Sequence, residues 1–526
     1  MHLLVLAIAE VTWNGLVGIM CAPMQYGFLL DHHRCIGCHA CTVACKAEND
    51  VPLASFRTWV KYTEKGRFPA VKRHFAVLRC NHCTKPPCVT ICPVNALSKR
   101  DDGIVDLDRA ACIGCRACMQ ACPYDAIYLN EDSGAAEKCH FCAHRVEKGL
   151  EPACVIVCPE GAIIAGDLHD PNSRISRMLS ANETLVRRPE QNTQPNVHYK
   201  GVLPESLQPG LAERPQMYLW SDRPKDKPEA WPESVPTQPD LTTVLDTGHK
   251  VEWGWHVAAY LVTKGISAGA AMLAPFLAGL GLSGFAADWL PEIVALVFLL
   301  VTTGLLVDDL ARPQYFLRLL TRPNTKSWLV RGGWILSAFG AVTTAILVAR
   351  YLGFSELAST LRWVNLPLGL ATAGYTAFLF AQCEGRDLWQ ERALLPHLIV
   401  QALFLGAGVL LPFAPLGSDL RLWFGAGLVL HAIFVTLELH KHHATENARQ
   451  AVGFLGAVRL GPIEHPHRLG TTLGTMLPVG LVLLARLGQL QPLAPVLLGL
   501  AALTAALGLY CYKYAYVRAG QLPPLS

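Results

Sequence analysis

Residues 35–45 read CIGCHACTVAC and residues 112–123 read CIGCRACMQACP. Both keep the spacing C-x2-C-x2-C-x3-C, and the second closes on Pro123. Working outward, sixteen of the chain's nineteen cysteines fall between 35 and 158, in four groups of four. They are Cys35, Cys38, Cys41, Cys45; Cys80, Cys83, Cys88, Cys92; Cys112, Cys115, Cys118, Cys122; and Cys139, Cys142, Cys154, Cys158. The second and fourth groups widen one gap, to four and eleven residues, yet both end in C-x3-C-P at Pro93 and Pro159. Three closely spaced thiolates wrap one face of an iron–sulfur cubane, while the turning backbone aims N–H groups at its sulfides. The fourth cysteine of such a run serves a second cluster. Structural zinc takes two C-x2-C pairs around one ion and has no use for the extra cysteines and proline. Disulfides suit small secreted scaffolds, not a long chain with this spacing. The pattern predicts four [4Fe–4S] clusters.

Short apolar runs behind the proline-closed groups read as strands: Ala126 to Leu129, and Ala162 to Ala165. The Asp101-Asp102-Gly103 turn leads into another, Ile104 to Leu107. The repeat predicts a duplicated α+β ferredoxin-like architecture, two dicluster units in one domain. The order of groups, "CIGCHACTVACKAEN" before "CNHCTKPPCVTICP", resembles the iron–sulfur subunits of the DMSO reductase family of molybdenum enzymes over about 23–200. That resemblance implies a nested pairing of the groups. Cys35, Cys38, Cys41 and Cys158 would hold one cluster, and Cys45, Cys139, Cys142 and Cys154 its neighbour. Cys80, Cys83, Cys88 and Cys122 would hold the third; Cys92, Cys112, Cys115 and Cys118 the fourth.

The 526 residues suffice for two or three domains, and a net charge of +4 gives no argument for a nucleic-acid partner. From about 254 onward the polar, cysteine-rich composition gives way to Leu, Ala, Gly and Val, which marks a membrane domain. The expected division is 24–170 ferredoxin-like domain, 171–250 Pro-rich linker, 251–515 membrane domain and 516–526 tail. Residues 1–23 read as an N-terminal extension. They are apolar, but no Lys or Arg precedes Arg34, so the basic start of a secretory signal is missing. The linker has no sustained apolar period; it reads as disordered or, by the resemblance, as an extended arm lying along a catalytic partner at least as far as "PNVHYKG".

Apolar windows of about 20 residues give eight spans. They lie near 255–280, 289–310, 328–350, 363–382, 394–414, 420–440, 470–487 and 491–511. "GISAGAAMLA" and "GTTLGTM" carry the small residues that let helices approach closely in lipid. An eight-helix all-α domain opening on "WGWHVAAYLVTKGISAG" and carrying "DDLARPQYFLRLLTRPNTKSW" after its second span resembles the NrfD membrane subunits, of which the quinone-binding polysulfide reductase anchor is one. Loop charge sets the orientation. Arg312, Arg318, Arg322, Lys326, Arg386, Arg392, Lys441, Arg449, Arg459, Arg468, Lys513 and Arg518 fall on the ferredoxin side, against Arg350, Arg362, Arg421 and Arg486 opposite. The ferredoxin domain is therefore expected on the cytoplasmic face of the inner membrane.

Ionisable residues inside spans are expensive and point to function. His256, Tyr260 and Lys264 share one helical face of the first span at i, i+4 and i+8. Asp309 ends the second span, and Tyr375 and Glu384 mark the end of the fourth. His256, Tyr260, Lys264, Asp309 and Tyr375 are the candidate quinone residues; anchoring, snorkelling or pairing with nearby arginines are the bland readings. Haem needs two axial histidines facing each other in the bilayer. His397, His431 and His440 form no clear pair in the sequence, so haem is not expected. The reading is an electron-transfer and anchor subunit passing electrons between a molybdopterin-containing catalytic partner of the DMSO reductase superfamily and the quinone pool. The alternative is a membrane-anchored ferredoxin module that couples or docks other subunits, or a quinone subunit partnering a hydrogenase.

Overall fold

In a computed structural model the described residues are 24–212, 238–248, 251–415 and 418–526. The extension read over 1–23 and the middle of the linker lie outside them. Ten described strands precede the membrane half: β1 (Tyr26–Asp31), β2 (Thr58–Lys65), β3 (Lys72–Arg79), β4 (Leu97–Lys99), β5 (Val105–Leu107), β6 (Ile127–Leu129), β7 (Ala136–Lys138), β8 (Ile163–Asp167), β9 (Val197–Lys200) and β10 (Leu241–Leu245). Short helices Pro87–Ile91 and Ala117–Ala121 stop at the cysteine before a proline; Ala153–Ile156 stops two residues before one. Proline lacks the N–H that would carry a helix on, and it drives the preceding residue into extended backbone. The backbone then turns out into β4, β6 or β8 four residues after Pro93, Pro123 or Pro159. The strands expected from the sequence are thus present.

β4 pairs with β5, and β6 with β7, as two small hairpins; the larger sheets run β8-β1-β9 and β10-β2-β3. Phe28 in the middle of β1 faces Ala165 on β8 and Val197 on β9. Being central, β1 is buried from Gly27 to Asp31 and reads as a continuous apolar run.

The described part of the linker is ordered against its own domain, which removes the disordered reading there. Helix Arg174–Ala181 is capped by the Ser173 hydroxyl and buries Ile175. β9 lies parallel to β1, with Val197 and Tyr199 fully buried, and β10 pairs with β2. The segment packs on its own ferredoxin domain. Its alternation over Val197–Lys200 is only one turn of pattern long, and its partner strand is some 170 residues away in sequence, so no local period reveals it.

In the membrane half, seven described helices are long and apolar enough to cross a bilayer. They are α1 (Trp255–Leu273), α2 (Leu290–Asp308), α3 (Trp328–Tyr351), α4 (Ser355–Ala381), α5 (Leu394–Leu410), α6 (Leu420–His440) and α7 (Ala494–Ala519). The span expected over 470–487 is a continuous helical stretch from Pro466–Thr471 through a π turn at Thr472–Met476 to Leu477–Leu484, and it is not among those seven. There Gly470 and Gly474 lie so close to the backbone at Gly508 that a Cβ on any of the three would overlap it or press hard on it. The same economy joins α1 to α5, where a Cβ on Gly269 would overlap the Ala402 carbonyl.

The two halves are locked together through the loop between α2 and α3. Arg312 donates to the carbonyls of Arg109 at 2.7 Å and Cys112 at 2.8 Å, and Arg318 donates to that of Ala110. Asn324 donates to the Cys92 carbonyl at 2.8 Å and Ser327 to that of Ile91 at 2.7 Å. Farther round, buried Arg386 donates to Gln120 at 3.0 Å. Part of the positive charge that reads as a topology signal is therefore spent on gripping the second and third cysteine groups.

Candidate functional site

The helices and turns just described carry the cysteines inward. Cys35, Cys38, Cys41 and Cys158 line one hollow; Cys45, Cys139, Cys142 and Cys154 line another, with Asn49 and Arg79. Cys88 is flanked by Cys122, Cys80 and Cys83, and Cys118 by Cys115, Cys112 and Cys92. Burial, and then those neighbouring thiols, push Cys88 and Cys118 well above the ordinary thiol range. Four thiolates in a dry pocket repel one another unless cationic metal shares their charge, so the donor chemistry fits a bound metal cluster. Among the described residues no three His, Cys, Asp or Glu side chains converge as one metal ion would need. None of the eighteen described cysteines forms a disulfide.

Backbone amides point at the sulfurs: Ala162 N–H to Cys158 Sγ at 3.2 Å, Gly114 N–H to Cys112 Sγ at 3.4 Å. The quartets also follow one another. Cys41 neighbours Cys154, Cys139 neighbours Cys80, and Cys118 neighbours Cys88. Cys38 is exposed at one end of this series; Cys115 lies at the other, against the membrane half.

Beyond Cys115 opens an apolar cavity of about 600 Å³, walled by α1, α2, α3 and α4. Tyr260, Asp309 and Tyr375 line it, together with Trp253, Thr303 and Ser337. Tyr375 reaches in because α3 carries Gly332, where a Cβ would strike the phenol ring. The cavity wall includes Leu300 and Trp334, both exposed on the outer, lipid-facing side of the helices. Asp309 is held by Arg116, whose guanidinium stands 3.7 Å from Oδ1 and donates to the Asp309 carbonyl at 2.7 Å.

Two of the five candidates lie outside this wall. Lys264 sits behind it, its Nζ 4.5 Å from the Tyr375 ring centroid, donating to Thr376 and, at 3.2 Å, to the Ala373 carbonyl. His256 stands at the mouth, 3.0 Å from Asp308 Oδ2 and 3.6 Å from Asp309 Oδ1. The i, i+4, i+8 face drifts round the helix, so only its middle member lines the cavity. Glu384 belongs to a separate polar pocket with Glu391 and His443, and burial raises its carboxyl. His397 and His431, which show no pairing in the sequence, meet across α5 and α6 with Nε2 and Nδ1 2.8 Å apart, and Gln401 bonds to His397 at 2.8 Å.

Sequence reasoning missed Trp253, Cys115 as a wall residue, and Gly332. The aromatic pair in "WGWH" was a signal for the first; Gly332 has none, because its partner ring comes from another helix.

Residues 71–168 match the family described as 4Fe-4S dicluster domain, and residues 243–524 match the family described as polysulphide reductase, NrfD. The sequence is 45% identical over 202 residues to a tetrathionate reductase subunit of Salmonella typhimurium, covering 38% of this chain and 80% of that protein. The thiosulfate reductase electron transfer subunit PhsB of Salmonella typhi is 44% identical over 162 residues, covering 30% and 83%. The arsenate respiratory reductase iron-sulfur subunit ArrB of a Shewanella species is 34% identical over 224 residues, covering 34% and 96%.

Proposed function

Because this protein belongs to the polysulphide reductase, NrfD family and joins it to a 4Fe-4S dicluster domain, we propose that it is the electron-transfer and membrane subunit of a quinone-linked oxidoreductase. Substrate chemistry takes place on a separate molybdopterin-containing subunit, as the likeness to electron-transfer and iron–sulfur subunits of reductases supports. The sixteen cysteines hold four [4Fe–4S] clusters in the nested sets given above, each of which supplies one-electron transfer when bound. Electrons enter or leave by the quartet that includes exposed Cys38 and pass along the series to the quartet that includes Cys115. The membrane domain makes eight crossings, the π-bulged helical stretch Pro466–Leu484 among them, and the ferredoxin domain faces the cytoplasm.

The observation that carries this reading is Cys115 in the wall of the apolar cavity. A quinone ring fits such a slot: largely apolar, a few convergent polar groups, and a lipid-facing side through which a long tail can pass. Tyr260 and Tyr375 line the slot and are the phenol side chains available to its carbonyl oxygens. Asp309, held by Arg116 near the cluster-side surface, exchanges the protons: quinone takes two electrons and two protons to become quinol. The test is anaerobic: protein reduced by dithionite, freed of excess reductant, is mixed with a short-chain quinone. Loss of the reduced-cluster spectrum with formation of quinol is expected. Clusters that stay reduced overturn the quinone role.

A further inference from the structure

Arg79 ends β3, directly before Cys80, and none of its surface is exposed. Its Nη1 donates to Cys154 Sγ at 3.3 Å, and its guanidinium lies 4.3 Å from the centroid of the Phe28 ring. Cys139 and Cys41 face it as well. Among the described residues no carboxylate pairs with it. Its Nε and Nη2 are buried without a hydrogen-bond partner, and the side chain lines the hollow shared by Cys45, Cys139, Cys142 and Cys154. A buried, unpaired guanidinium is strongly unfavourable, so something anionic must lie against it. Among the described residues lining the hollow the only groups that can be anionic are the cysteine thiolates, which would be joined by the sulfides of a cluster held there.

We propose that Arg79 is a positioning residue that donates hydrogen bonds into the cluster held by Cys45, Cys139, Cys142 and Cys154 and raises its reduction potential. Hydrogen bonds to sulfur and a nearby positive charge both favour the reduced, more negative form of a cluster. Cys41 belongs to the adjacent quartet, so the charge stands between the first two centres of the series and also lifts that neighbour, more weakly. This rests on the ligand sets proposed above.

The experiment is an EPR-monitored redox titration of the full chain in detergent, with iron analysis, for the parent, Arg79→Gln and Arg79→Lys. If the parent does not contain about sixteen iron atoms the cluster assignment itself fails, before any variant is compared. With four clusters present, Arg79→Gln should lower the midpoint potential of one centre, shift a second less and leave two unmoved. Arg79→Lys keeps the charge and should stay nearer the parent. Parent potentials in a fully loaded Arg79→Gln protein overturn the proposal. So does loss of a cluster from Arg79→Gln that Arg79→Lys restores, since the arginine would then serve assembly and not potential.

Discussion

The indole N–H of Trp253 points to the backbone carbonyl of Cys115 at 3.4 Å, and both residues stand in the wall of the same cavity. Trp253 also stacks on Trp389, at 5.6 Å between ring centroids, which fixes the indole from the far side. The link ties the last cysteine quartet to the start of the first membrane helix.

Gly332→Ala tests the shape of the cavity. The new methyl meets the Tyr375 ring; overpacking of this kind costs ~1–3 kcal/mol, which, borne by the quinone-bound state, is roughly a five- to 150-fold loss of quinone affinity. Quinone titration of the reduced protein should show the weakened binding with iron content unchanged. Unaltered affinity would show that Tyr375 does not shape the quinone site.

Gly114→Ala tests the coupling between the halves. Gly114 has φ +71°, and a Cβ there would lie 2.7 Å from that of Ala311 in the α2–α3 loop. The strain of a left-handed non-glycine residue, ~1–2 kcal/mol, adds to the clash and should push that loop from Cys115. Slower electron exchange with quinone is expected while dithionite still reduces every cluster. A parent rate would mean the contact does not position the last quartet.

The cysteine groups were legible because their spacing repeats within a few residues, and the proline after the second, third and fourth groups marks where the helix must stop. What escaped the sequence was non-local. β9 acquires its partner from the other end of the domain, Gly332 acquires Tyr375 from another helix, and His397 finds His431 only once α5 and α6 pack. Arg312 and Arg318 looked like topology charges because carbonyl acceptors in a distant loop leave no trace in composition. The span over 470–487 was found as an apolar run, but its π turn and its close backbone approach to Gly508 are features that hydropathy does not report.

Arg57→Met tests a buried ion pair. Arg57 Nη2 lies 2.8 Å from Glu137 Oε2, and both side chains are almost wholly buried. Tyr128 and Asn130 bond to the carboxylate at 2.6 Å and 3.1 Å, and half-exposed Arg109 stands 3.2 Å from its Oε1. Removing Arg57 leaves the buried carboxylate with only that more exposed cation, at a cost below the ~3–5 kcal/mol of a fully stranded charge. Thermal loss of cluster absorbance should come markedly earlier, and Arg57→Met combined with Glu137→Leu should recover part of the loss. No change in the single variant would show that the pair contributes nothing.

His32 gives the ferredoxin domain a pH dependence. Burial holds its imidazole down to about 4, with Nε2 accepting the Val77 N–H at 3.0 Å. The unfolded chain takes up this proton near pH ~6.5, so the neutral-histidine contribution is complete above that value. It is lost as the pH falls through the interval to about 4, by roughly 3 kcal/mol. Denaturant unfolding at successive pH values should show a shallower acid dependence for His32→Gln than for the parent. Parallel curves would remove His32 from the account.

The cavity beside Cys115 as the quinone site is tested most directly by labelling. A photoreactive azidoquinone is illuminated with the membrane-embedded protein, and the modified peptides are mapped by mass spectrometry. Label on α2, on α3 and on the segment from Trp253 to Tyr260, displaced by excess unmodified quinone, is the predicted result. Displaceable label confined to α5, α6 and α7 would contradict it and move quinone chemistry away from the last cysteine quartet.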